Sequence, residues 1–384
     1  MTRRTPNRYR LSAALVAISL LAAACGSDGA EQRADGTPVE SSQEESGASS
    51  GGADAAASTD GDEAGSDTSD DSAAADSADG ELRTVQTSFG DVQIPVDPQR
   101  IIALDAVAAM NLISVGVEPT TVFDINGAAV VRTVLTDRGI ALRSDLGDGF
   151  GELNYEAVAA EDPDLIIIVA VEGFESLTGP LAEIAPTIVM PFFGTWREAM
   201  RDTGLLFNRE AEAEAVIAGL EERFDEVGAS VADNPYSLSI LAAGLGFVLA
   251  MSPDAAISMT AADVGVTRPE SQVGDIPPFM GQPAFQVSEE LIAEHDADVI
   301  AVLSGQFYDD AAVTGIATFD RLEAAQSGNV VIVDGDIWFT GHPFAVFWQL
   351  ADLEAIALGA AADGVGTVDD SLDRWSDYRS LAGS

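Results

Sequence analysis

The feature that most narrows what this chain can fold into is an internal duplication. Residues Asn154–Val169 align without a gap on Ser288–Leu303, with identities at Glu156/Glu290, Ala159/Ala293, Asp162/Asp296, Asp164/Asp298 and Ile166/Ile300. In each copy a capping residue, Asn154 or Ser288, opens a short helix. An Asp-x-Asp turn ends it, and an apolar run of buried-strand character follows. Upstream of the copies, Gly116-Val-Glu-Pro119 and Gly265-Val-Thr-Arg-Pro269 mark matching helix ends. A duplicated α/β unit needs two cores, and the roughly 300 residues from Glu81 onward are enough for both.

Alternation within each half predicts parallel sheets covered by helices on both faces. The first half reads as strands at Arg100–Leu104, Thr121–Phe123, Leu165–Val171 and Thr187–Met190, with a helix over Ala106–Val115. The second half offers Ser237–Ala242, Val299–Leu303 and Val330–Val333 in the same role. Between them, Val216, Leu220, Phe224, Val227 and Val231 recur at helical spacing, after a cap at Asn208 and before a stop at Asn234-Pro235. A helix over Arg209–Ala232 would run about 36 Å, long enough to cross behind two lobes. The expected fold is α/β: two lobes with parallel sheets bridged by one long helix. The expected divisions are 83–207, 208–233 and 234–384.

The N-terminus fixes the compartment. Arg3, Arg4, Arg8 and Arg10 precede a largely apolar run, Leu11–Ala24, and Leu21-Ala-Ala-Ala-Cys-Gly26 follows the pattern of a lipoprotein processing site. The run is too short to span a bilayer, which takes about 20 residues. Residues 1–25 therefore read as a signal peptide, with Cys25 as lipid anchor on the extracytoplasmic face of the cell membrane; an ordinary secretory signal is the alternative. Acylation of the single cysteine leaves no disulfide. Residues 26–82 are Ala, Gly, Ser, Asp and Glu with few large apolar side chains, a disordered acidic tether.

Of the formal net charge of −46, +4 lies before Gly26 and −15 on 26–82, leaving −35 on 83–384. This balance excludes nucleic acid as a partner. The chain has no lysine, which excludes Schiff-base chemistry. Its two histidines are far apart, so no metal site is expected. No Gly-x-Ser-x-Gly elbow, phosphate-binding glycine loop or His-Glu-x-x-His occurs, and Gly244–Leu249 is too short a glycine pattern for a dinucleotide, so no enzyme is expected.

From Arg83 to Gly359 the chain resembles the substrate-binding lipoproteins of ATP-driven importers for ferric siderophores and vitamin B12. The landmarks are Arg100–Asp105, Asn111–Pro119, Asn154-Tyr-Glu156, Pro163–Ile167, Glu183-Ile-Ala-Pro186, the long helix, Asn329–Val333 and Trp338. The resemblance implies capture of a ferric siderophore between two lobes and delivery to an ABC permease for iron uptake. No cofactor is implied, iron entering only within the bound chelate, and the protein is expected to be a monomer. In such proteins a glutamate on each lobe meets permease arginines; here those positions are Glu156 and Glu290, with a helix-end preference for acids as the bland alternative.

Ligands of open α/β sheets sit at the carboxyl ends of strands. Candidates there are Phe123, Arg132, Phe174 and Trp196 in the first lobe, and Phe247, Arg268, Tyr308, Trp338, Phe339 and His342 in the second. Aromatic faces and guanidinium groups hold a chelate without displacing its iron ligands. Arg132 and Arg268 are the first choices for charge, with Arg138 and Arg143 as alternatives to Arg132. The resemblance implies several converging arginines where a catecholate is bound, so two arginines lean toward a hydroxamate or mixed chelate. Trp338, Phe339 and Phe344 read equally as core, while His342, between Gly341 and Pro343, is expected to be exposed and His295 to lie on the surface. Haem held by Tyr308 or His342, or cobalamin, is the rival ligand.

Overall fold

The computed structural model describes residues 81–87, 89–123, 128–144, 153–170, 178–191, 194–244, 246–359, 364–381 and 383. Cys25, the tether and Phe174 lie outside them. The described chain opens with an antiparallel hairpin, β1 (Leu82–Thr87) and β2 (Gly90–Pro95), and then enters the first lobe. That lobe contains β3 (Ile101–Ala103), α1 (Ala106–Ser114), β4 (Thr121–Phe123), α2 (Ala129–Asp137), β5 (Ala141–Arg143) and α3 (Tyr155–Ala160). It continues through β6 (Leu165–Ala170), α4 (Thr178–Ala182), β7 (Thr187–Pro191) and α5 (Trp196–Phe207). Its five strands are all parallel, in the order β5-β4-β3-β6-β7.

The long helix is α6, Glu210–Asp233. Its stripe, Val216, Leu220, Phe224, Val227 and Val231, is buried throughout. Asn208 does not cap it. Asn208 instead adopts the left-handed conformation (φ 53°, ψ 46°) that ends α5, a role Asn tolerates because its short polar side chain offsets the strain. Gly204 lets α5 turn tightly onto α6, since a Cβ there would lie 2.8 Å from that of Ala213. On the second lobe α6 is tied by the Arg223–Glu354 ion pair and by Ser230 Oγ donating to Glu354 Oε1 at 3.0 Å.

The second lobe comprises β8 (Leu238–Gly244), β9 (Phe247–Met251), α7 (Ala256–Asp263), β10 (Ala284–Gln286), β11 (Val299–Ser304) and α8 (Asp310–Thr314). After these come α9 (Glu323–Ser327), β12 (Val330–Asp334), α10 (Gly335–Phe339), α11 (Pro343–Ala357) and α12 (Ser371–Leu381). Its sheet, β10-β9-β8-β11-β12, corrects the expectation of a purely parallel one. Strands β8, β11 and β12 are parallel, but β9 folds back antiparallel on β8 and carries β10. The glycine pattern at 244–249 is the reason: Gly246 takes φ 81°, which a tight hairpin turn requires.

The two copies of the repeat diverge where they begin. Asn154 Oδ1 accepts from Ala157 N at 3.1 Å and caps α3, as expected. Ser288 caps nothing: its hydroxyl bonds to Glu290, and Glu289–His295 winds as a 3₁₀ helix. Where they end, the copies act alike. Asp164 accepts from the backbone N–H of Gln99 and Arg100 at 2.8 and 2.9 Å, and Asp298 accepts from Ser237 N at 2.7 Å, so each clamps the entry to its lobe's first strand. One large apolar cluster runs through both lobes by way of α1, α6 and α11, and a smaller one lies under the outer helices of each lobe. No described helix is long and apolar enough to cross a membrane.

Candidate ligand cleft

Parallel strands deliver the residues that follow them to a common edge. In the second lobe these are Ser304, Gly305 and Gln306 after β11 and Asp334 and Asp336 after β12. From the first lobe, α2 faces them with Ala129 and Arg132, and the 366–368 segment completes a depression of about 490 Å³. That volume lies within the range of small-molecule pockets, about 300–1,000 Å³.

The second-lobe wall is built around two glycines. Gly305, at φ 156°, starts a turn closed by reciprocal backbone bonds with Tyr308, 3.2 and 3.3 Å. A Cβ on Gly305 would sit 3.0 Å from the Asp336 carboxylate, which accepts from Gln306 N at 3.4 Å. Gly335 lies directly under the Tyr308 ring, where a Cβ would fall 2.9 Å from Cε2 and 3.0 Å from Leu303 Cβ. Tyr308 in turn tilts against Phe339 at 6.2 Å. Alongside, Phe247 packs edge-on to Phe279 at 5.0 Å, and Phe307 is exposed.

Electrostatics at this wall are acidic. Asp334 caps α10 by accepting from Asp336 N and Ile337 N at 3.0 and 3.2 Å. Burial, followed by the charge of Asp334, pushes the Asp336 carboxyl up to about 6, while the Gln306 N–H and Arg132 pull it back. Burial likewise raises Asp334, and raises the Tyr308 hydroxyl with help from Asp336. At the reversal of strand order in the first lobe, Asp105 accepts from Ala108 N and Val169 N, both at 2.7 Å, and burial raises its carboxyl to about 6.

Among the expected ligand residues, Arg132 lines the depression and the half-buried Tyr308 stands behind it, with Phe339 packed on Tyr308. Four others belong elsewhere. Trp196 is buried at the start of α5 and stacks on Phe224 of α6 at 6.0 Å, because the helix begins with its first residue turned toward the spine. Arg268 is enclosed within the second lobe, donating to Met251 O at 2.8 Å and to Ser258 and Gln272, and burial lowers it to about 10. Trp338 is fully buried, its indole N–H donating to Asp352 at 2.8 Å. His342 is 2 % exposed and caps α11, its Nδ1 accepting from Ala345 N at 3.0 Å.

Phe123 is buried in the outer core of the first lobe, and His295 is buried beside Phe285 rather than on the surface. The alternative cations are paired, Arg138 with Glu118 and Arg143 with Glu161. Glu156 and Glu290 are both exposed. Asp334, Asp336 and Gly305 did not figure among the expected cleft residues, although Asp334-Gly-Asp336 directly follows a strand, which is the signal that locates them. Among the described residues no group of three histidine, cysteine or carboxylate side chains is placed to hold a metal ion.

Enclosure makes His342 an acid-sensitive joint. Burial lowers its folded value to about 3 from the usual 6.5, so the folded state binds fewer protons than the unfolded one. Its contribution is complete above pH 6.5 and declines as pH falls toward 3. Between pH 6.5 and 5 the loss amounts to about 2 kcal/mol at 1.36 kcal/mol per unit. His342→Asn keeps a capping side chain, and urea titrations at pH 7.5 and 5 are expected to show a smaller acid-induced loss than in the parent protein.

Residues 145–337 match the periplasmic binding protein family. The probable siderophore-binding lipoprotein YfiY of Bacillus subtilis is 26% identical over 294 residues, 72% of this chain and 88% of YfiY. In fold, the chain is similar to the petrobactin-binding protein YclQ of B. subtilis, with a TM-score of 0.59, 19% identity, and coverage of 72% of this chain and 99% of that one. Staphylococcus aureus SirA, solved with staphyloferrin B, gives 0.59, 19%, 72% and 98%. Two α/β lobes on one helical spine, a cleft between them and a family match over half the sequence place this chain in the periplasmic binding protein family.

Proposed function

We propose that this protein captures a ferric siderophore outside the cytoplasm and passes it, iron still chelated, to an ABC permease. The observation that carries this reading is the depression of about 490 Å³ between α2 and the carboxyl ends of β11 and β12, whose lining of polar and aliphatic residues suits a preformed complex. The names of its relatives agree: one is a probable siderophore-binding lipoprotein and another a ferric-anguibactin-binding protein. The protein binds and releases rather than catalyses, acts as a monomer, and is held at the membrane through Cys25. Haem is disfavoured because His342, one of its two proposed axial ligands, is sealed in the second lobe with its Nδ1 already engaged.

In this reading α6, packed on both α5 and α11, restricts lobe closure to small movements. Glu156 and Glu290 offer the permease two exposed carboxylates from corresponding repeat positions; the Ser288 hydroxyl holds Glu290 below the usual carboxylate range.

Protein purified from iron-starved cells is expected to carry an iron chelate detectable by mass spectrometry. A double Glu156→Ala, Glu290→Ala protein is expected to bind that chelate within about twofold of the parent protein and to support no uptake of radioactive iron. Normal uptake by the double variant removes the docking assignment, and a cleft that binds no ferric chelate removes the capture function.

A further inference from the structure

The chain continues past its second sheet and past α11. Residues 364–381 lie beyond the stretch matched to the family model, 145–337, yet they reach both the cleft and the first lobe. Their path out of the second lobe is tightly held. Gly366 N donates to Asp352 Oδ1 at 2.7 Å, and a Cβ on Gly366 would press on the Arg374 guanidinium and lie 2.6 Å from Trp348 Cζ2. Thr367 N and Oγ1 both donate to Asp370 Oδ2, at 2.7 and 2.9 Å, a capping box that closes one 3₁₀ turn, Val368–Asp370. That turn packs on α2, and Gly366, Thr367 and Val368 line the depression. Val368 is 39 % exposed and Ile332 of β12 43 %, so the depression has an apolar border that a seated ligand would cover.

After this turn α12 crosses to the first lobe. At its start Arg374 pairs with Asp352 at 2.7 Å and lies 4.3 Å over Trp348, both on α11. Trp375 packs edge-on to Phe344 of α11 at 5.1 Å and takes Arg138, the residue that ends α2, 5.8 Å over its ring. Farther along, Tyr378 and Arg379 donate to Ser114 Oγ and Ile113 O of α1. Leu381 then meets the spine at Gly219, where a Cβ would fall 2.7 Å from the Leu381 carbonyl oxygen. Helix α2 is thereby held at both ends: its first turn lines the cleft with Ala129 and Arg132, and its last residue rests on α12.

We propose that the C-terminal segment is a third wall of the cleft and a second bridge between the lobes. Val368 contacts the ligand, and Trp375, Tyr378 and Arg379 are positioning residues that set where α2 stands relative to β11 and β12. Because α12 is fastened to different lobes at its two ends, any movement about α6 must strain or carry it. The wall rests on the siderophore reading, and the bridge does not.

The bridge is tested without a ligand. The mature chain carrying Cys25→Ser is spin-labelled through Glu183→Cys in the first lobe and Gln326→Cys in the second, both exposed positions, and the distance distribution is measured by pulsed dipolar spectroscopy. Tyr378→Phe with Arg379→Ala, which unfastens α12 from α1, is expected to broaden that distribution at least twofold. An unchanged width overturns the bridge, and if the pair fails to fold, Arg379→Ala alone is read in the same way.

The wall is tested by calorimetric titration of the parent, Val368→Asn and Leu372→Asn proteins with ferrioxamine B, ferrichrome and ferric enterobactin. Whichever chelate binds the parent is expected to bind Val368→Asn at least threefold more weakly, through loss of apolar contact. Leu372, about one turn on and 40 % exposed, is not among the residues lining the depression, and Leu372→Asn is expected to bind within about twofold of the parent. Equal affinity in all three proteins overturns the wall and leaves siderophore capture standing. Failure of all three chelates to bind the parent overturns capture and the wall together, and the spin-label distances still decide the bridge.

Discussion

Asp352→Ala is expected to lower the unfolding free energy by about 3–5 kcal/mol, the cost of breaking a buried charge pair by removing one partner. Asp352 is fully buried on α11 and accepts three bonds: Trp338 Nε1 at 2.8 Å, Gly366 N at 2.7 Å and Arg374 Nη1 at 2.7 Å. Burial works against its ionised form, and these three donors work for it. Alanine strands all three, and Arg374, stacked 4.3 Å over Trp348, stays in place as an uncompensated charge. The damage extends beyond one lobe. The chain beyond Gly366 leads into α12, whose Tyr378 donates to Ser114 at 2.8 Å and whose Arg379 donates to Ile113 O at 3.1 Å, both on the first lobe. Urea denaturation measures the loss, and limited proteolysis is expected to cut the C-terminal segment of the variant first. A change below about 1 kcal/mol would show that the pair is dispensable.

How far the sequence revealed this architecture depends on what each residue's partner is. The Asp164/Asp298 identity could be read because both carboxylates perform the same local task, holding backbone N–H groups at a strand start. The Asp162/Asp296 identity conceals a divergence: Asp162 sits at φ 49° in a turn, while Asp296 caps α9 through Glu323 N and Ala324 N. The α6 stripe was legible because one face is buried and the other wet. Helix α11 was not, since it is buried nearly all round and carries no polar face to set the period.

Residue type alone misled the reading of the cleft. Trp338 and His342 carry polar groups whose partners, Asp352 and Ala345 N, lie on α11, a helix the apolar pattern does not reveal, so the sequence points to exposure for His342 and leaves Trp338 equally cleft or core. Arg268, expected to supply charge to the cleft, is instead held inside the lobe by neutral partners. Conversely, with a net charge of −35 spread over residues 83–384, Asp334 and Asp336 were indistinguishable from the solvated acids around them. Only their place after a parallel strand separates them, and that is a property of topology rather than of composition.

Gly335→Val is expected to reduce chelate binding more than tenfold while lowering stability by about 1–3 kcal/mol, the usual cost of overpacking. The position has an ordinary backbone conformation, so the demand for glycine is purely spatial: Leu303 lies on one side and the Tyr308 ring on the other. A β-branched side chain must expel that ring. Tyr308 is half of the reciprocal bond pair that closes the Gly305 turn, and Gln306 within that turn donates to Asp336. Displacing the ring therefore moves the aromatic wall and the acidic wall together, although Gly335 is itself buried. Gly341→Ala, whose added Cβ lies 3.3 Å from Ala256 Cβ, serves as the comparison and is expected to bind normally. Calorimetry alongside thermal melting separates the two effects. Full affinity in a folded Gly335→Val protein would mean that the Tyr308 wall takes no part in holding the ligand.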